Sequence, residues 1–293
     1  MHEIFGNLHF HSTHSDGVDS PAELVRIAKE EGYKALALTD HDTATGCAEL
    51  AEECKKQGLD SILGAELTGS GFGRSFHIVA LDFDIENPAM KDHLEHMRKK
   101  CVYRTKGMFD NGIAKGTIKN ITWEEVEEFN KGITNLCVDH VFAAMKNKGV
   151  ITDLEYPDLH RQNFSYRIPF ENIYHDKDVK EVISVINNAG GIAILAHGGY
   201  ENSQFGFVPQ LVVWGLRGIE TWHADHTDEN VFEAQKLAKE FNLYESGGTD
   251  HSGIMGGQYK FFENPEESEY YIPSMKYGVS KENYFKIKDR VLG

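Results

Sequence analysis

Short apolar runs of strand character alternate with stretches of helical periodicity along much of the chain. Residues 4–10, 34–39 and 61–65 are such runs in the first third, and residues 192–196 and 217–221 continue the pattern. A histidine or an acidic residue lies at or near the end of each run. Because helical stretches separate the runs, the pattern predicts an α/β fold of parallel strands. The strand ends would gather polar residues at one rim, where barrel enzymes hold their active sites.

Helix start and stop signals support this alternation. Ser20 is followed by a proline and stands three residues before Glu23, which is the arrangement of a capping box with proline at the first helical position. Gly32 is placed to end this helix, and Gly58 is placed to end a second helix predicted over residues 45–57. The first part of the chain is therefore predicted to be a repeated βα unit.

The alternation stops in the middle of the chain. Residues 87–172 contain helical segments and loops rich in asparagine, lysine and glycine, and the strand pattern returns only after them. We interpret this stretch as an inserted, mainly helical cap over the active site. The barrel unit would then consist of residues 1–86 and 173–293. The helices predicted within the insert are residues 90–106, 123–129 and 138–148.

Charge and composition narrow the possible partners. The net charge of −16 argues against a non-specific nucleic-acid binder, which normally shows a basic face, although bound divalent cations would offset part of that charge locally. The chain has no targeting signal and no long apolar span, so we expect a cytoplasmic protein without a membrane partner. The four cysteines lack the spacing of a metal ribbon, which favours reduced, buried thiols.

The metal chemistry begins with a histidine pair on the first strand. His9 and His11 are two residues apart, so both imidazoles face the same side and can bind one ion. Asp16 ends the turn that follows, and His41 comes after the next strand. A lone histidine pair is a weak signal, but this order of ligand types along successive strands is far more specific.

Five motifs together resemble the PHP (polymerase and histidinol phosphatase) superfamily of metal-dependent phosphoesterases. They cover both halves of the predicted barrel and leave only the insert weakly matched. The resemblance implies a distorted (β/α)7 barrel, and the nucleotide-cleaving, tryptophan-operon-associated branch is the most similar. The motifs are Leu8-His9-Phe10-His11-Ser12 with Ser15-Asp16-Gly17, Leu38-Thr39-Asp40-His41-Asp42, Gly64-Ala65-Glu66, residues 189–197 (AGGIAILAH), and Gly247-Gly248-Thr249-Asp250-His251.

The resemblance also implies a cluster of two or three divalent ions, Mn, Fe or Zn. The implied ligands of the first ion are His9, His11, Glu66 and Asp250, and those of the second are Glu66, His77 and His197. The third ion would take Asp16, His41 and a histidine of the last motif, for which His251 is the candidate. Related members place that histidine two residues after the aspartate, where this chain has Ser252. A site with only two tightly bound ions is the alternative.

Further residues are predicted to act on the substrate or on its protons. Glu66 is expected to be catalytic as the bridging ligand, Asp40 to orient an imidazole, and His226 to transfer a proton or contact the substrate, with a solvated loop histidine as the alternative for His226. His223 is expected to face the leaving group, and His140 resembles a position near the substrate in nucleotide-cleaving relatives. The candidate phosphate clamps on the insert are Arg104 and Arg167, each of which is otherwise an ordinary surface arginine.

The expected activity is hydrolysis of a small phosphorylated substrate, a nucleotide or nucleoside bisphosphate, by attack of a metal-bound hydroxide. One alternative is a phosphodiesterase that opens a cyclic sugar or nucleotide phosphate and then removes the phosphate. Another is a 5′–3′ exoribonuclease on short RNA, which would be the one kind of nucleic acid expected as a partner. An amidohydrolase that cleaves C–N bonds and a catalytically inactive metal-binding domain remain as hypotheses from other classes.

Overall fold

The computed structural model describes residues 3–199, 203–252 and 277–292. These residues form a mixed α/β protein with two sheets. The strands are β1 (Gly6–Asn7), β2 (Ala35–Leu36), β3 (Asp60–Ser61), β4 (Gly64–Gly71), β5 (Arg74–Leu81), β6 (Ile192–Leu195), β7 (Gly218–His223) and β8 (Tyr244–Gly248). The helices are α1 (Pro21–Glu31), α2 (Cys47–Gln57), α3 (Pro88–Lys115), α4 (Trp123–Phe129), α5 (Val138–Asn147), α6 (Tyr156–Asn163), α7 (Val179–Asn188), α8 (Val208–Val213), α9 (Asp228–Phe241) and α10 (Lys281–Asp289).

The first sheet is parallel, in the order β1-β2-β3. Helix α1 begins where the sequence predicts, because the Ser20 hydroxyl accepts a hydrogen bond from the Glu23 amide at 3.3 Å. It ends at Gly32, whose φ of 103° lies in the left-handed region that a glycine adopts without strain. The βα connection is thus encoded by local capping signals.

The second sheet departs from the predicted parallel alternation. Strand β4 turns back into β5 through Phe72 and Gly73, which both have positive φ (51° and 74°), as in the tight two-residue turns of hairpins. Strand β5 is consequently antiparallel to both β4 and β6, whereas β6, β7 and β8 are parallel. The hairpin register pairs Thr68 with His77. Since Glu66 lies two residues before Thr68, it shares a face of the sheet with His77.

Short contacts connect the two sheets at the rim. Phe10 and His251 form an isolated parallel bridge, and His41 and Glu66 form another. A hydrophobic cluster contributed by strands of both sheets lies between them and includes Leu8, Val79, Ile194 and Tyr244. In the ranges that the structure describes, these contacts bring the sheets together without closing them into one continuous barrel.

The middle of the chain is helical, as predicted. Helix α3 runs to Lys115, well beyond the predicted end at residue 106, and Gly116 ends it in the left-handed conformation. Helices α4, α5 and α6 pack with the second half of α3 around a hydrophobic cluster that includes Phe109, Val141 and Phe142. The first half of α3 packs against a different hydrophobic cluster, in which Met90 lies with residues of the strands and their helices. The insert thus has a core of its own and a helix anchored on the sheet region.

None of the helices in the described ranges combines the length and the apolar character needed to span a bilayer. Part of the predicted barrel unit, residues 253–276, lies outside the described residues.

Candidate metal centre

Glu66 lies at the centre of a group of histidines and carboxylates at the rim. Its side chain is fully buried, and its two oxygens lie within 3.5 Å of nitrogens from five histidines. Two of these histidines come from the segment after β1, two from the loops after β2 and β6, and one from β5. The five are His9, His11, His41, His77 and His197.

The first predicted ligand group converges in the structure. Ligand atoms of His9, His11, Glu66 and Asp250 all lie within 4.8 Å of one another. The His11 Nε2 atom is 2.8 Å from Asp250 Oδ1, and the His9 Nε2 atom is 3.5 Å from the same oxygen. Residues separated by more than 200 positions in sequence therefore face one small volume.

The second predicted group is equally close. The Oε1 atom of Glu66 is 3.0 Å from His77 Nδ1 and 3.0 Å from His197 Nε2, and the two ring nitrogens are 3.2 Å apart. Glu66 thus belongs to both groups, as a bridging ligand must.

The third group forms without His251. His11, Asp16 and His41 lie together, with each histidine ring 3.7 Å from a carboxylate oxygen of Asp16 and with the two rings stacked at 4.4 Å. The His251 ring is buried beside Asp19, at 3.6 Å, and joins none of the ligand groups found among the described residues. A role for His251 at the third ion stays a prediction. The one-residue shift in spacing sends this side chain to a different carboxylate.

The residues present fit divalent ions. Several buried ligand atoms, His9 Nε2, His11 Nδ1 and Glu66 Oε2, have no well-directed hydrogen bond within the described residues, which is costly unless something else binds them. Ligands held at about 2.1 Å around one tetrahedral ion are about 3.4 Å from each other, and the histidine–carboxylate distances given for the first two groups are 2.8–3.5 Å. Imidazole and carboxylate donors are suited to Mn, Fe and Zn.

The electrostatics of the cluster are strongly coupled. Burial opposes ionisation of Glu66, but the surrounding histidines outweigh it and hold the pKa of the carboxyl well below its usual value. Burial likewise opposes protonation of His9, yet the carboxylates of Glu220, Glu66 and Asp250 raise the pKa of its imidazole well above 6.5. The pocket therefore stabilises positive charge at its centre.

Glu220 is a functional candidate that the sequence analysis did not single out. Its carboxylate accepts a hydrogen bond from His9 Nδ1 at 2.9 Å and another from the His197 backbone amide at 2.7 Å. Burial opposes its ionisation, but His9 and His223 lower its pKa to about 2. Glu220 thus fixes the tautomer of His9 and leaves Nε2 facing the cluster. Its place at the end of an apolar strand was the available signal.

His223 lies deeper than predicted. Its ring is buried, its Nδ1 accepts a hydrogen bond from the Asp225 amide at 3.1 Å, and its Nε2 points towards Asp250 Oδ2 at 3.5 Å. These contacts place it behind Asp250, where it can orient a predicted ligand. A contact of His223 with the leaving group stays a prediction.

Asp40 does not contact an imidazole by a hydrogen bond. Its buried carboxylate accepts hydrogen bonds from the Ser12 amide at 2.7 Å, the Ser12 hydroxyl at 2.8 Å and the Ser15 hydroxyl at 2.6 Å. Asp40 therefore holds the turn between His11 and Asp16 in shape. Its catalytic role stays a prediction.

Both ring nitrogens of His226 are engaged by backbone groups. Nε2 accepts a hydrogen bond from the Gly199 amide at 3.1 Å, and Nδ1 donates to the Thr221 carbonyl at 3.1 Å. Burial lowers the pKa of this ring, which favours the neutral form that these contacts require. His226 thus ties the loop after His197 to β7, and the predicted proton transfer finds no free nitrogen.

His140, on helix α5 of the insert, also has both ring nitrogens hydrogen-bonded to backbone groups. Its Nδ1 accepts a hydrogen bond from the Cys137 amide at 2.9 Å, and its Nε2 donates to the Thr13 carbonyl at 3.0 Å. Neighbouring contacts run from Asn135 Nδ2 to the His41 carbonyl at 3.0 Å and from Cys137 Sγ to the Ser15 carbonyl at 3.2 Å. His140 therefore joins the insert to the turn that carries Asp16, and a contact with the substrate stays a prediction.

The two predicted phosphate clamps differ in setting. The guanidinium carbon of Arg104 lies 4.6 Å from the ring centre of Tyr166, and its buried Nη2 has no hydrogen-bond partner among the described residues. Arg167 is exposed on the segment after α6. Arg104 thus keeps a donor available for a ligand, and a phosphate role for either arginine stays a prediction.

About half of the chain matches the model of a known protein family. Residues 7–154 match the family model of the PHP domain, and the match includes four of the five histidines around Glu66. A crystal structure from Bifidobacterium adolescentis superimposes with a TM-score of 0.79 over 100% of this chain and 99% of its own, at 23% identity. That likeness shows a shared fold.

Three curated relatives extend over most of the chain. A phosphoribosyl 1,2-cyclic phosphate 1,2-diphosphodiesterase from Eggerthella lenta is 29% identical, covering 85% of this chain and 95% of the relative. A 5′-3′ exoribonuclease from Haemophilus influenzae is 32% identical (83% and 88%). A 3′,5′-nucleoside bisphosphate phosphatase from Chromobacterium violaceum is 27% identical (86% and 89%). With a family match over half of its residues and a ligand cluster of this composition, the chain belongs to the PHP domain family of metal-dependent phosphoesterases.

Proposed function

We propose that this enzyme removes phosphate from a nucleotide or nucleoside bisphosphate at the cluster around Glu66. The observation that carries the proposal is the position of Glu66, whose carboxylate lies in two ligand groups at once. Two or three divalent ions, Mn, Fe or Zn, would polarise the phosphoryl group and lower the pKa of a water molecule there. The protein's own residues would hold these ions in place and position the substrate.

The proposed ligands would bind the ions, and neighbouring residues would orient these ligands. Glu66 would bridge two ions, with His9, His11 and Asp250 on one side and His77 and His197 on the other. Asp16 and His41 would hold a third ion together with His11, whose ring also belongs to the first group. Glu220 keeps His9 and the His197 backbone in place, and His223 supports Asp250.

The insert would serve as a cap that completes the substrate site. It contacts the rim through Asn135, Cys137 and His140, next to the turn of Asp16. Arg104 would donate its unpaired N–H to a phosphate oxygen, for which a guanidinium is well shaped. Exclusion of water beneath the cap would strengthen these charge interactions.

We further propose that the two sheets form a distorted (β/α)7 barrel of residues 1–86 and 173–293, with residues 87–172 as the cap. The cluster shared by both sheets and the bridges at Phe10 and His41 support this arrangement. We also propose a cytoplasmic location, because all four cysteines are free thiols, as expected in a reducing compartment.

Two other substrates have specific support. The Eggerthella lenta relative, covered over 95% of its length, is named for hydrolysis of a cyclic sugar phosphodiester, and the Haemophilus influenzae relative for 5′–3′ cleavage of RNA. In both cases the same ligand cluster would act on a phosphodiester instead of a monoester.

A phosphate-release screen tests the proposal. Protein reconstituted with Mn, Fe or Zn is assayed against nucleoside mono- and bisphosphates, cyclic phosphates and short oligoribonucleotides. We expect the highest kcat/KM on a nucleoside bisphosphate. Phosphate release from cyclic phosphates alone would favour the cyclic phosphodiesterase, and nucleotide release from RNA alone would favour the exoribonuclease. A protein inert on all three would contradict the proposed function.

A further inference from the structure

The insert carries a groove between α3 and the segment after α6. The groove has a volume of about 630 Å³, within the range of ligand pockets. One wall is α3, and the other is the segment after α6 that contributes Phe170 and Tyr174. The groove is separate from the ligand cluster, because no described residue belongs to both.

Three aromatic rings form the apolar part of this α3 groove. The ring centre of Tyr103 is 5.8 Å from that of Phe170 and 5.9 Å from that of Tyr174, both in edge-to-face geometry. Phe170 sits directly against the helix at Gly107, where a Cβ atom would come within 2.4 Å of its ring. Tyr103 remains 40% exposed. The rings are thus packed in place while one of them keeps an accessible surface.

Cations line the same groove. Arg98, Lys99 and Lys106 face it, against a single lining carboxylate from Asp110, in a chain whose overall charge is −16. Arg98 and Lys99 pair with Glu95 on the helix surface, and Lys106 pairs with Asp110. Such exposed pairs contribute little to stability, so a phosphate can compete with the carboxylate for the cation.

We propose that the α3 groove binds single-stranded oligonucleotide, with bases against its aromatic rings and phosphates against its cations. Rings and cations interleaved along one groove are the means by which proteins hold single strands without reading their sequence. The groove also lies next to Arg104, which is predicted to bind a phosphate of the substrate. Arg104 follows Tyr103 on α3, and its partner ring, Tyr166, lies four residues before Phe170 on the facing segment.

The inference goes beyond the proposed phosphatase activity, since binding in the groove does not require hydrolysis. It rests on that function only for the expectation that one end of a longer substrate reaches the metal centre. A substrate of several nucleotides would then occupy both places, whereas a mononucleotide or dinucleotide would occupy only the centre. The ratio of the two affinities is therefore the quantity to measure.

The test uses fluorescence anisotropy on metal-loaded protein. The probes are a hexaadenylate and a diadenylate, both labelled at the 3′ end and made with phosphorothioate linkages to slow cleavage. We expect the hexamer to bind at least about tenfold more tightly than the dimer. The double variant Lys99→Gln, Lys106→Gln should remove most of that advantage and make the salt dependence of hexamer binding shallower by about 1.4 in log–log slope, at about 0.7 per phosphate contact.

A second variant tests the aromatic wall. Tyr103→Ala should weaken hexamer binding by about tenfold through lost stacking, and Tyr103→Phe should retain it. The matched control is Lys56→Gln with Lys286→Gln, because these lysines have similar exposure and each also pairs with a carboxylate four residues away. The control should leave the hexamer-to-dimer ratio unchanged.

Three results would overturn the proposal. They are a hexamer that binds no more tightly than the dimer, an equal loss in the control pair, and an octaglutamate peptide that binds as tightly as the hexamer, which would point to an acidic protein partner. Phosphate release by the wild type is measured separately. Hexamer binding that depends on the lysines, without phosphate release, would support the proposed binding groove and contradict the proposed phosphatase activity.

Discussion

At the scale of single residues, Glu66 has a role that no neighbour can replace. It is the one carboxylate shared by two ligand groups of the described residues, and its side chain is fully buried. Glu66→Gln should therefore reduce phosphate release to background and lower the bound metal measured by mass spectrometry to at most one ion. The exposed Glu52→Gln on α2 is the control. An unchanged kcat with only a higher KM would contradict the bridging role.

Glu220 acts through His9 and so predicts a smaller effect. Glu220→Gln keeps the shape of the side chain but removes the charge that orients the imidazole. Loss of such an outer partner typically costs 10–100-fold in metal affinity or activity, and we expect a change in that range in a metal titration followed by activity. Excess metal should restore much of the rate. A variant that is inactive even at saturating metal would indicate a direct catalytic role instead.

The two arginines of the cap form a natural comparison. Arg104→Ala should raise KM by about tenfold with little change in kcat, because one charge-assisted hydrogen bond to phosphate is lost. Arg167→Ala, on the exposed segment, should have the smaller effect. Steady-state kinetics on the best substrate of the screen measures both. Wild-type kinetics for Arg104→Ala would remove this residue from the substrate site.

At the scale of elements, the junction between cap and rim depends on a neutral histidine. Burial lowers the pKa of His140, so below about pH 6.5 the unfolded chain binds a proton that the folded chain excludes. The contribution of His140 to the free energy of unfolding is complete above pH 6.5 and decreases below it, by at most about 1.4 kcal/mol per pH unit. His140→Gln should reduce this acid sensitivity in urea unfolding between pH 7.5 and 5.5.

The same substitution should also cost about 1–3 kcal/mol at pH 7.5, because it disturbs the hydrogen bonds to Cys137 and Thr13. The exposed His175→Gln is the control and should change neither quantity. An unaltered pH profile in His140→Gln would show that the junction does not carry the acid sensitivity.

At the scale of the whole molecule, the metal centre should also stabilise the fold. Buried ligand atoms from distant segments lack partners until something binds them, and a ligand at 100 times its dissociation constant contributes about 2.7 kcal/mol. Removal of metal by chelation should therefore lower Tm by about 5–10 °C in calorimetry, with recovery on reconstitution. Glu66→Gln should respond less. An identical Tm with and without chelator would contradict a metal centre at this position.

Local sequence signals determined a good part of this protein. The spacing of His9 and His11 puts both rings on one side of a strand, and Ser20 and Gly32 delimit a helix, because these effects act within a few residues. The order of ligand types along the strands was sufficient to indicate the family. Glu66 and Asp250 were therefore placed in one group from the sequence alone.

Only the tertiary structure decided which partner each polar side chain meets. The Phe72–Gly73 turn reverses β5 and sets the face of His77, and the backbone contacts of His140 and His226 occupy nitrogens that the sequence left available. Glu220 became a candidate only when β7 placed it beside His9, and His251 was drawn away to Asp19. Hydrogen-bond partners more than 200 residues apart depend on how sheets pack, and no local periodicity encodes that distance.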